Sequence, residues 1–511
     1  MQNAVDPGAA SGTEAVSIPL TRGTTRAAIA SGTAQIFTRV LAVVLSIATA
    51  RALEPREVGL LGLAVIVVSV VSMIGYYPET AAVVGRGSEG HERYGIASVA
   101  IRALVTLTSF IVAALVFPLA AGLLTGGDGG TQSLRELIAV MAWVPILELV
   151  SAYPRVLLQR RLDLNALSAA ALLHPLVFVG LAILLLWKGY GYFGVAWANV
   201  LGSLTVALVL WLRLIFKGEL RWRGWPSTRI WRETAVGAVR VFTGGFGGFL
   251  GERLDNLLVS ATIGPAAMSY YSMAWNGSRT PANIFGATIG FVLVPTLSRM
   301  QDEPSRIRRA VSESLRHSYL LLAPVCAMLF VSAPLIVTYV LGPKWLPLVP
   351  CLRIMCVTVM AIPLLHACNA LLVAAGRAHL TGIATAAHLV ALVVTIPLFS
   401  RHWQIIGAAF GDLISTVVLA VTLCTTAYLA THRIELRLIS SIALPIIAAV
   451  LAGGLAWQLS AIAFASGARL ASEMILVIAG YLFFIFALGG KNQLSDLRDV
   501  LRAASRRTVV A

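Results

Sequence analysis

The apolar stretch of residues 251–286 contains the side chains best suited to chemistry in this chain. They are Glu252, Arg253, Asp255, Asn256, Asn276 and Arg279. Charged groups within a hydrocarbon layer are costly, and they usually face a protein interior or a water-filled cavity. An Ile-Gly-Pro turn at residues 263–265 divides the stretch in two. The pattern therefore predicts two membrane helices that line a polar cavity.

Two acids in this stretch lie close to each other on one helix. Glu252, Asp255 and Asn256 have the i, i+3 and i+4 spacing of neighbours, whereas Arg253 points about 100° away. Such a pair of acids could bind a proton or a sodium ion. The alternative is an ion pair with an arginine of another helix, for which the candidates are Arg39, Arg279 and Arg353. Asp412 is a further buried acid that could pair across the bundle.

A polar stripe runs along the first predicted helix and includes an arginine. Its members recur at helical spacing and are Ser31, Gln35, Thr38, Arg39 and Ser46. The stripe lines either a cavity or a helix interface. Arg39 and Arg279 each lie about eleven or twelve residues into their helices, which is roughly 16–18 Å and near mid-bilayer. Arg102 and Arg240 lie nearer a membrane edge, so we expect their side chains to snorkel to the head groups.

The composition places these residues in a membrane. Of the 511 residues 58% are hydrophobic and 12% are charged, and the mean hydropathy is +0.84. Soluble proteins are about one quarter charged. Segments of about 20 mostly apolar residues recur fourteen times, so the sequence predicts an all-α polytopic membrane protein with about fourteen transmembrane helices. No catalytic motif and no metal-ligand spacing occurs, so we expect no enzyme activity, no cofactor and no metal site.

The basic residues predict the orientation. With both termini in the cytoplasm, the cytoplasmic loops and tails hold 26 lysines and arginines and the opposite side holds seven. This asymmetry follows the positive-inside rule and favours an even number of spans. It also accounts for most of the net charge of +16, so nucleic acid is not an expected partner.

Two pairs of similar segments indicate an internal repeat. Residues 53–64 (LEPREVGLLGLA) resemble residues 263–274 (IGPAAMSYYSMA) at an offset of 210, and residues 192–204 resemble residues 405–417 at an offset of 213. Six spans separate the copies, so both have the same orientation, as in parallel transporter repeats. The repeat predicts two six-helix lobes plus two extra C-terminal helices, with a substrate site between the lobes.

The resulting division of the chain has six parts. They are a disordered cytoplasmic tail (1–24), an N-lobe (25–215), a basic, Trp-rich cytoplasmic linker (216–234), a C-lobe (235–432), two further spans (433–489) and a cytoplasmic tail (490–511). Early in the C-lobe, a glycine cluster favours close helix packing, a hinge for alternating access, or both. Its predicted hinge residues are Gly244, Gly245, Gly247 and Gly248.

Most of residues 25–430 resembles the bacterial polysaccharide-transport flippases of the multidrug/oligosaccharidyl-lipid/polysaccharide exporter superfamily. The resemblance is carried by ARALEPREVGLLGLA, by LDNLLVSATIGPAAMSYYSMAWNGSRTPANIFG, by LGPKW and by NALLVAAGRAHL. It implies an inner-membrane transporter that moves a lipid-linked oligosaccharide by alternating access, with membrane lipids and other polysaccharide-assembly proteins as candidate partners.

That implied substrate suggests roles for the charged residues. A polyprenyl-pyrophosphate head suits arginines, which offer several donors to phosphate. The predicted substrate-binding residues are Arg39, Arg253, Arg279, Gln35 and Asn276, and the predicted ion-coupling or ion-pair residues are Asp255, Glu252 and Asp412.

Three other classes of protein agree less well with these residues. A drug or metabolite/cation antiporter of the same superfamily would favour an acidic or apolar cavity, which the arginines within spans oppose. A membrane-embedded glycosyltransferase or polymerase would be expected to have a large periplasmic loop. A purely structural scaffold does not explain why arginines lie near mid-bilayer.

Overall fold

A computed structural model describes residues 22–84, 91–124, 130–161, 163–218, 225–300, 303–431, 437–460 and 470–488. Nearly all of these residues are helical, and none of them forms a strand. The all-α prediction is confirmed. The predicted tails, at residues 1–24 and 490–511, lie almost wholly outside the described residues.

The described helices follow one another with short connections. They are α1 (Arg22–Ala52), α2 (Pro55–Val84), α3 (His91–Leu124), α4 (Gly130–Met141), α5 (Trp143–Arg160), α6 (Leu164–Trp187), α7 (Gly191–Phe216), α8 (Thr228–Ile263), α9 (Pro265–Arg299), α10 (Pro304–Val331), α11 (Ala333–Ile336), α12 (Val349–Val359), α13 (Ile362–Ala374), α14 (Thr381–Thr431), α15 (Arg437–Ser460) and α16 (Leu470–Leu488). A π-helical turn (Val337–Leu341) and a 3-10 helix (Pro343–Leu348) join α11 to α12.

Nine helical segments among the described residues are long and apolar enough to cross a membrane. Ile442–Gln458 in α15 is a shorter apolar helix. The polytopic membrane class is confirmed, while the count of fourteen spans stays a prediction. The range given for α14 holds two helices that meet at a kink, where Trp403 and Gln404 have non-helical backbone angles.

The two copies of the predicted repeat begin in the same way. Both α2 and α9 start at a proline, Pro55 and Pro265, whose fixed φ suits the first helical position. Gly264 precedes Pro265 with φ +105°, a conformation that side chains rarely adopt. The two helices also touch, because a Cβ atom on Gly59 would lie 1.9 Å from the carbonyl oxygen of Pro265.

At this end of the bundle the first and second halves of the chain exchange hydrogen bonds. Trp345 is fully buried here. The last carbonyls of a helix have no partner within that helix, and at the end of α1 the second half of the chain supplies two donors and accepts one bond in return. The bonds run from Trp345 Nε1 to Ala50 O (2.8 Å), from Lys344 Nζ to Leu53 O (2.7 Å) and from Arg51 Nε to Val340 O (2.9 Å). We call this set, with the approach of Gly59 to Pro265, the interlobe contact.

Helix α8 packs against both halves of the chain. In its first half, Gly237 lies against Ala81 and Gly245 against Tyr77, both on α2. Further along, Gly251 lies against His388 on α14. The glycine cluster thus lies where α8 passes from one set of neighbours to the other. The boundaries of the lobes and the hinge remain predictions.

Arg102 differs from its predicted position. Instead of reaching toward head groups, its side chain is 1% exposed and forms ion pairs with Glu79 of α2 and Glu148 of α5. The Glu148 contact is 3.0 Å. The snorkelling prediction is wrong because two carboxylates on neighbouring helices give this arginine a buried counter-charge.

Helix α6 begins at an N-cap that is tied to α7. The Oδ1 atom of Asp163 accepts a hydrogen bond from the backbone N–H of Ala166 (3.1 Å), and its Oδ2 atom accepts one from Arg213 (2.5 Å). Burial raises the pKa of Asp163, but these two bonds outweigh it and hold that pKa below its ordinary value. The carboxylate therefore stabilises the fold at neutral pH and loses this effect as the pH falls below about 4.

We expect Asp163→Ala to lower the stability of the folded protein by about 1–2 kcal/mol, the usual cost of a lost N-cap. Thermal unfolding of the purified protein at neutral pH measures this as a lower Tm. Asp163→Asn is the matched control, because it keeps a side-chain oxygen at the cap and loses only the charge. Equal Tm values for wild type and the alanine variant would contradict the assignment.

Candidate functional site

Asp255 lies on α8 with both carboxylate oxygens bonded. It is 2% exposed. Its Oδ1 atom accepts the side-chain amide of Asn256 (2.9 Å), and its Oδ2 atom accepts the hydroxyl of Tyr271 on α9 (3.2 Å). Three neutral donors, counting the backbone N–H of Asn256 at 2.7 Å, therefore hold this carboxylate. The α8–Gly264–α9 turn brings these residues together, since it folds α9 back beside α8.

A second buried acid and an arginine complete the group. Asp412 of α14 is also 2% exposed. Its Oδ1 atom lies 4.0 Å from Nη2 of Arg279 on α9, and the guanidinium of Arg279 stacks over Trp275 at 4.4 Å. The charges of Asp412 and Arg279 both act on Asp255. We call Asp255, Asp412 and Arg279 the charged site.

His388 links the charged site to the fold of α14. Its Nδ1 atom lies 3.0 Å from the carbonyl oxygen of Ser415, which belongs to the other segment of the same helix. His388 also interacts electrostatically with Asp412 and Arg279. The charged site therefore joins three helices, α8, α9 and α14.

The charges of this site do not balance. With both acids ionised, two carboxylates face one guanidinium, and a proton or a monovalent cation would restore neutrality. A single arginine 4.0 Å from its acid is a loose pair, and its side chain is 24% exposed. The partly exposed guanidinium of Arg279 therefore has donors left for a further acceptor.

The other predicted site residues differ in their exposure. Arg39 on α1, Glu252 on α8 and Asn276 on α9 are exposed. Arg253 is half-buried, and its Nε atom has no hydrogen-bond partner among the described residues. Glu252 is exposed whereas Asp255, three residues later on α8, is buried, and the predicted role of Glu252 stays a prediction.

The structure describes the backbone of some predicted residues but not their side chains. Gln35 is such a residue, and its backbone belongs to α1. Gly244, Gly245, Gly247 and Gly248 all lie within α8, and Gly248 has open space where a Cβ atom would be. Among the described residues, no three His, Cys, Asp or Glu side chains group in a way that could hold a metal ion.

Sequence reasoning found the members of the charged site but not their partners. Tyr271 and His388 were not connected to the two acids, and Trp275 was not connected to Arg279. One signal was available for Asp412. At the repeat offset of 213 it aligns with Asn199, a residue that interacts with His174 in the first half. The repeat therefore marks this position as polar in both halves.

The chain is similar in sequence to one protein family and to two curated membrane or biosynthesis proteins. A family model described as polysaccharide biosynthesis protein matches residues 48–350. An uncharacterized membrane protein in the cps region of Klebsiella pneumoniae is 26% identical over 34% of this chain and 36% of its own length. The teichuronic acid biosynthesis protein TuaB of Bacillus subtilis (strain 168) is 23% identical over 49% of this chain and 51% of its own length. The matches thus span about a third and about half of the lengths of these curated relatives.

Two solved structures have a similar fold. The lipid II flippase MurJ in an inward closed conformation has a TM-score of 0.72 at 13% identity, covering 90% of this chain and 98% of that chain. An inward-facing multidrug resistance MATE family transporter of the MOP superfamily has a TM-score of 0.60 at 15% identity, covering 77% and 96%. At these identities the likeness concerns the fold alone, and it agrees with the fold class expected from the sequence.

Proposed function

The chain belongs to the polysaccharide biosynthesis protein family, and from this premise we propose that it moves a lipid-linked oligosaccharide across a bacterial membrane. The substrate would be a polyprenyl-pyrophosphate-linked repeat unit of a surface polysaccharide. The direction would be from the cytoplasmic to the periplasmic leaflet, by alternating access. The protein would act as a transporter and not as an enzyme.

The charged site is the observation that carries this proposal. It lies on three helices of a transporter fold, and it holds a partly exposed arginine whose acid partner is 4.0 Å away. Such an arginine has donors left for a phosphate oxygen, and a guanidinium binds phosphate in two-point geometry. The exposed Asn276 lies one turn from Arg279 on α9 and would bind the sugar.

The other predicted arginines are assigned to the same substrate. Arg39 is exposed, and the Nε atom of Arg253 has no hydrogen-bond partner among the described residues. In this proposal both help to hold the pyrophosphate, Gln35 contributes a sugar contact, and Asp255 and Asp412 carry a coupling proton or sodium ion. Glu252 is exposed, so it is a weaker candidate for ion coupling than the two buried acids.

The interlobe contact supports the transport cycle. It closes one end of the bundle through backbone carbonyls and two basic side chains. Under the predicted orientation this is the periplasmic end, so the bonds would have to break for the substrate to leave. The predicted glycine hinge of α8 would permit that movement, with both termini of the chain in the cytoplasm and the protein in the inner membrane.

Loss of the gene tests this function. A strain without the protein is expected to lose its surface polysaccharide while the complete lipid-linked repeat unit accumulates in lipid extracts, as mass spectrometry would measure. Glycosyltransferase or polymerase activity predicts another result. An incomplete repeat unit would then accumulate if sugar addition were blocked, and complete units would stay unpolymerised on the periplasmic side if polymerisation were blocked.

We expect Arg39→Ala to lower export of the polysaccharide about fivefold, since a hydrogen bond to a charged group contributes roughly 1.5–3 kcal/mol and Arg39 would share this task. The exposed Arg240 serves as the control, and Arg240→Ala is expected to leave export unchanged. The amount of surface glycan, normalised to protein level, is the measurement. Unchanged export in Arg39→Ala would remove Arg39 from the substrate surface.

A cation antiporter is the second candidate, because the charged site holds two buried acids and one arginine. That function predicts efflux of small organic cations, which an acidic site would bind. Drug sensitivity of the deletion strain separates the two. The transporter proposed here predicts unchanged sensitivity to organic cations together with loss of the surface polysaccharide.

A further inference from the structure

An apolar cavity lies apart from the charged site. Its volume is about 450 Å³, and it lies between α10, α12 and α15. None of the residues that line it belongs to the charged site. Small residues of α15 open the space. Gly454 has no atom within 4 Å of the position where its Cβ would be, and Gly453 and Ala449 also line the cavity.

One arginine is fixed at an end of this cavity. The Nε atom of Arg353 donates to the carbonyl oxygen of Phe330 (3.0 Å), and the guanidinium stacks over the ring of Trp457 at 4.5 Å. Phe330 and Trp457 both line the cavity, and so does Val357, which lies one turn beyond Arg353 on α12. Arg353 therefore lies at the mouth of the cavity in a defined orientation.

Arg353 has no acidic partner in the part of the chain that the structure describes. Among the described residues, no carboxylate lies within ion-pair distance of it. Its one hydrogen bond to a described residue uses Nε, so the two Nη groups of the guanidinium fork remain for another acceptor. A cation held by aromatic rings over an apolar space suits an amphiphile with an anionic head.

The dimensions of the cavity fit one leaflet of a membrane. From Ile446 to Trp457 its wall on α15 rises through eleven residues, which is about 16 Å at 1.5 Å per residue. Half of a bilayer's hydrocarbon core is about 15 Å. Arg353 follows Lys344 of the interlobe contact by nine residues, so the cation lies toward that end of the bundle, where head groups would be.

We propose that this cavity binds an anionic phospholipid from the leaflet at the end of the bundle that carries the interlobe contact. The lipid phosphate accepts hydrogen bonds from Arg353, and one acyl chain lies between α10, α12 and α15. A single arginine suits a single phosphate, and the depth suits an acyl chain that ends at mid-bilayer. This site is separate from the charged site and does not depend on the proposed transport function.

Lipid retention tests the site. The full chain is reconstituted in nanodiscs of equal parts dioleoylphosphatidylglycerol and dioleoylphosphatidylcholine, extracted in mild detergent, and analysed by native mass spectrometry. Wild type is expected to retain phosphatidylglycerol in preference to phosphatidylcholine. Arg353→Gln is expected to reduce the retained phosphatidylglycerol about fivefold, the contribution of one basic residue near an anionic membrane surface.

A second variant separates the chain-binding cavity from the charge. Gly454→Leu fills the open space and leaves Arg353 in place, so retention of phosphatidylglycerol is expected to fall in this variant as well. Arg401→Gln removes an exposed arginine of α14 that lies away from the cavity, and it is expected to retain lipid as wild type does. Thermal unfolding of each variant checks that the fold is intact.

Three results would overturn the proposal. One is equal retention of phosphatidylglycerol by wild type, Arg353→Gln and Gly454→Leu. Another is an equal loss in Arg401→Gln, which would indicate nonspecific surface charge. The third is displacement of phosphatidylglycerol by an equimolar amount of undecaprenyl phosphate, which would assign the cavity to a polyprenyl lipid instead.

Discussion

Replacing Arg279 by glutamine is expected to reduce export of the polysaccharide about tenfold or more, because hydrogen bonds to a charged group contribute roughly 1.5–3 kcal/mol each. Arg279 is the one cation of the charged site, and its guanidinium stacks on Trp275 beside the buried Asp412. The measurement is surface glycan per unit of protein in a deletion strain that carries the variant.

The double variant Arg279→Gln, Asp412→Asn separates substrate binding from structural pairing. Removing Arg279 alone leaves buried acids without a counter-charge, and breaking such a pair can cost about 3–5 kcal/mol. Removing Asp412 as well should restore the protein level and the Tm. Export should remain low if Arg279 contacts substrate or Asp412 carries the coupling ion. Full recovery of export in the double variant would make the pair purely structural.

Gly59→Ala is expected to reduce export about tenfold by preventing closure of the interlobe contact. A methyl group there would lie 1.9 Å from the carbonyl oxygen of Pro265. Helices α2 and α9 must then move apart, and overpacking of this kind costs about 1–3 kcal/mol. A cysteine introduced at Ser46, which contacts Met273 across the same boundary at 3.3 Å, should react faster with an impermeant thiol reagent in this variant.

Gly62→Ala is the matched control for that variant. Its added methyl group would meet only the terminal carbon of Met268, at 3.1 Å. That side chain is flexible, so export should stay within about twofold of wild type. Wild-type export and wild-type reactivity of the Ser46→Cys site in Gly59→Ala would show that the interlobe contact closes despite the added methyl group, which would contradict this prediction.

The sequence predicted the fold class because its strongest signals are local. Apolar segments long enough to span a membrane can be recognised directly in the sequence. The prolines that begin α2 and α9, Pro55 and Pro265, are separated by the repeat offset of 210. The interlobe contact was not predicted. Lys344 and Arg51 looked like ordinary loop cations, because their acceptors are backbone carbonyls and leave no trace in residue type.

The sequence predicted which residues form the charged site but not which residues they contact. Unexpected charges in apolar segments pointed to Asp255, Arg279 and Asp412, since such charges are costly wherever they are not paired. Pairing depends on the rotation and depth of each helix, which sequence spacing does not determine. For the same reason Arg102 was misplaced, because its ion pair with Glu79 depends on how α2 and α3 face each other.

Leaflet distribution in reconstituted vesicles tests the central claim most directly. A lipid-linked oligosaccharide is placed in proteoliposomes, and its exposure to an impermeant glycan-modifying reagent is followed over time. Wild-type protein should make the inner-leaflet pool accessible, and Arg279→Gln, Asp412→Asn protein should leave it protected as in protein-free vesicles. Equal protection with wild-type protein and with no protein, across an imposed proton or sodium gradient, would contradict the account.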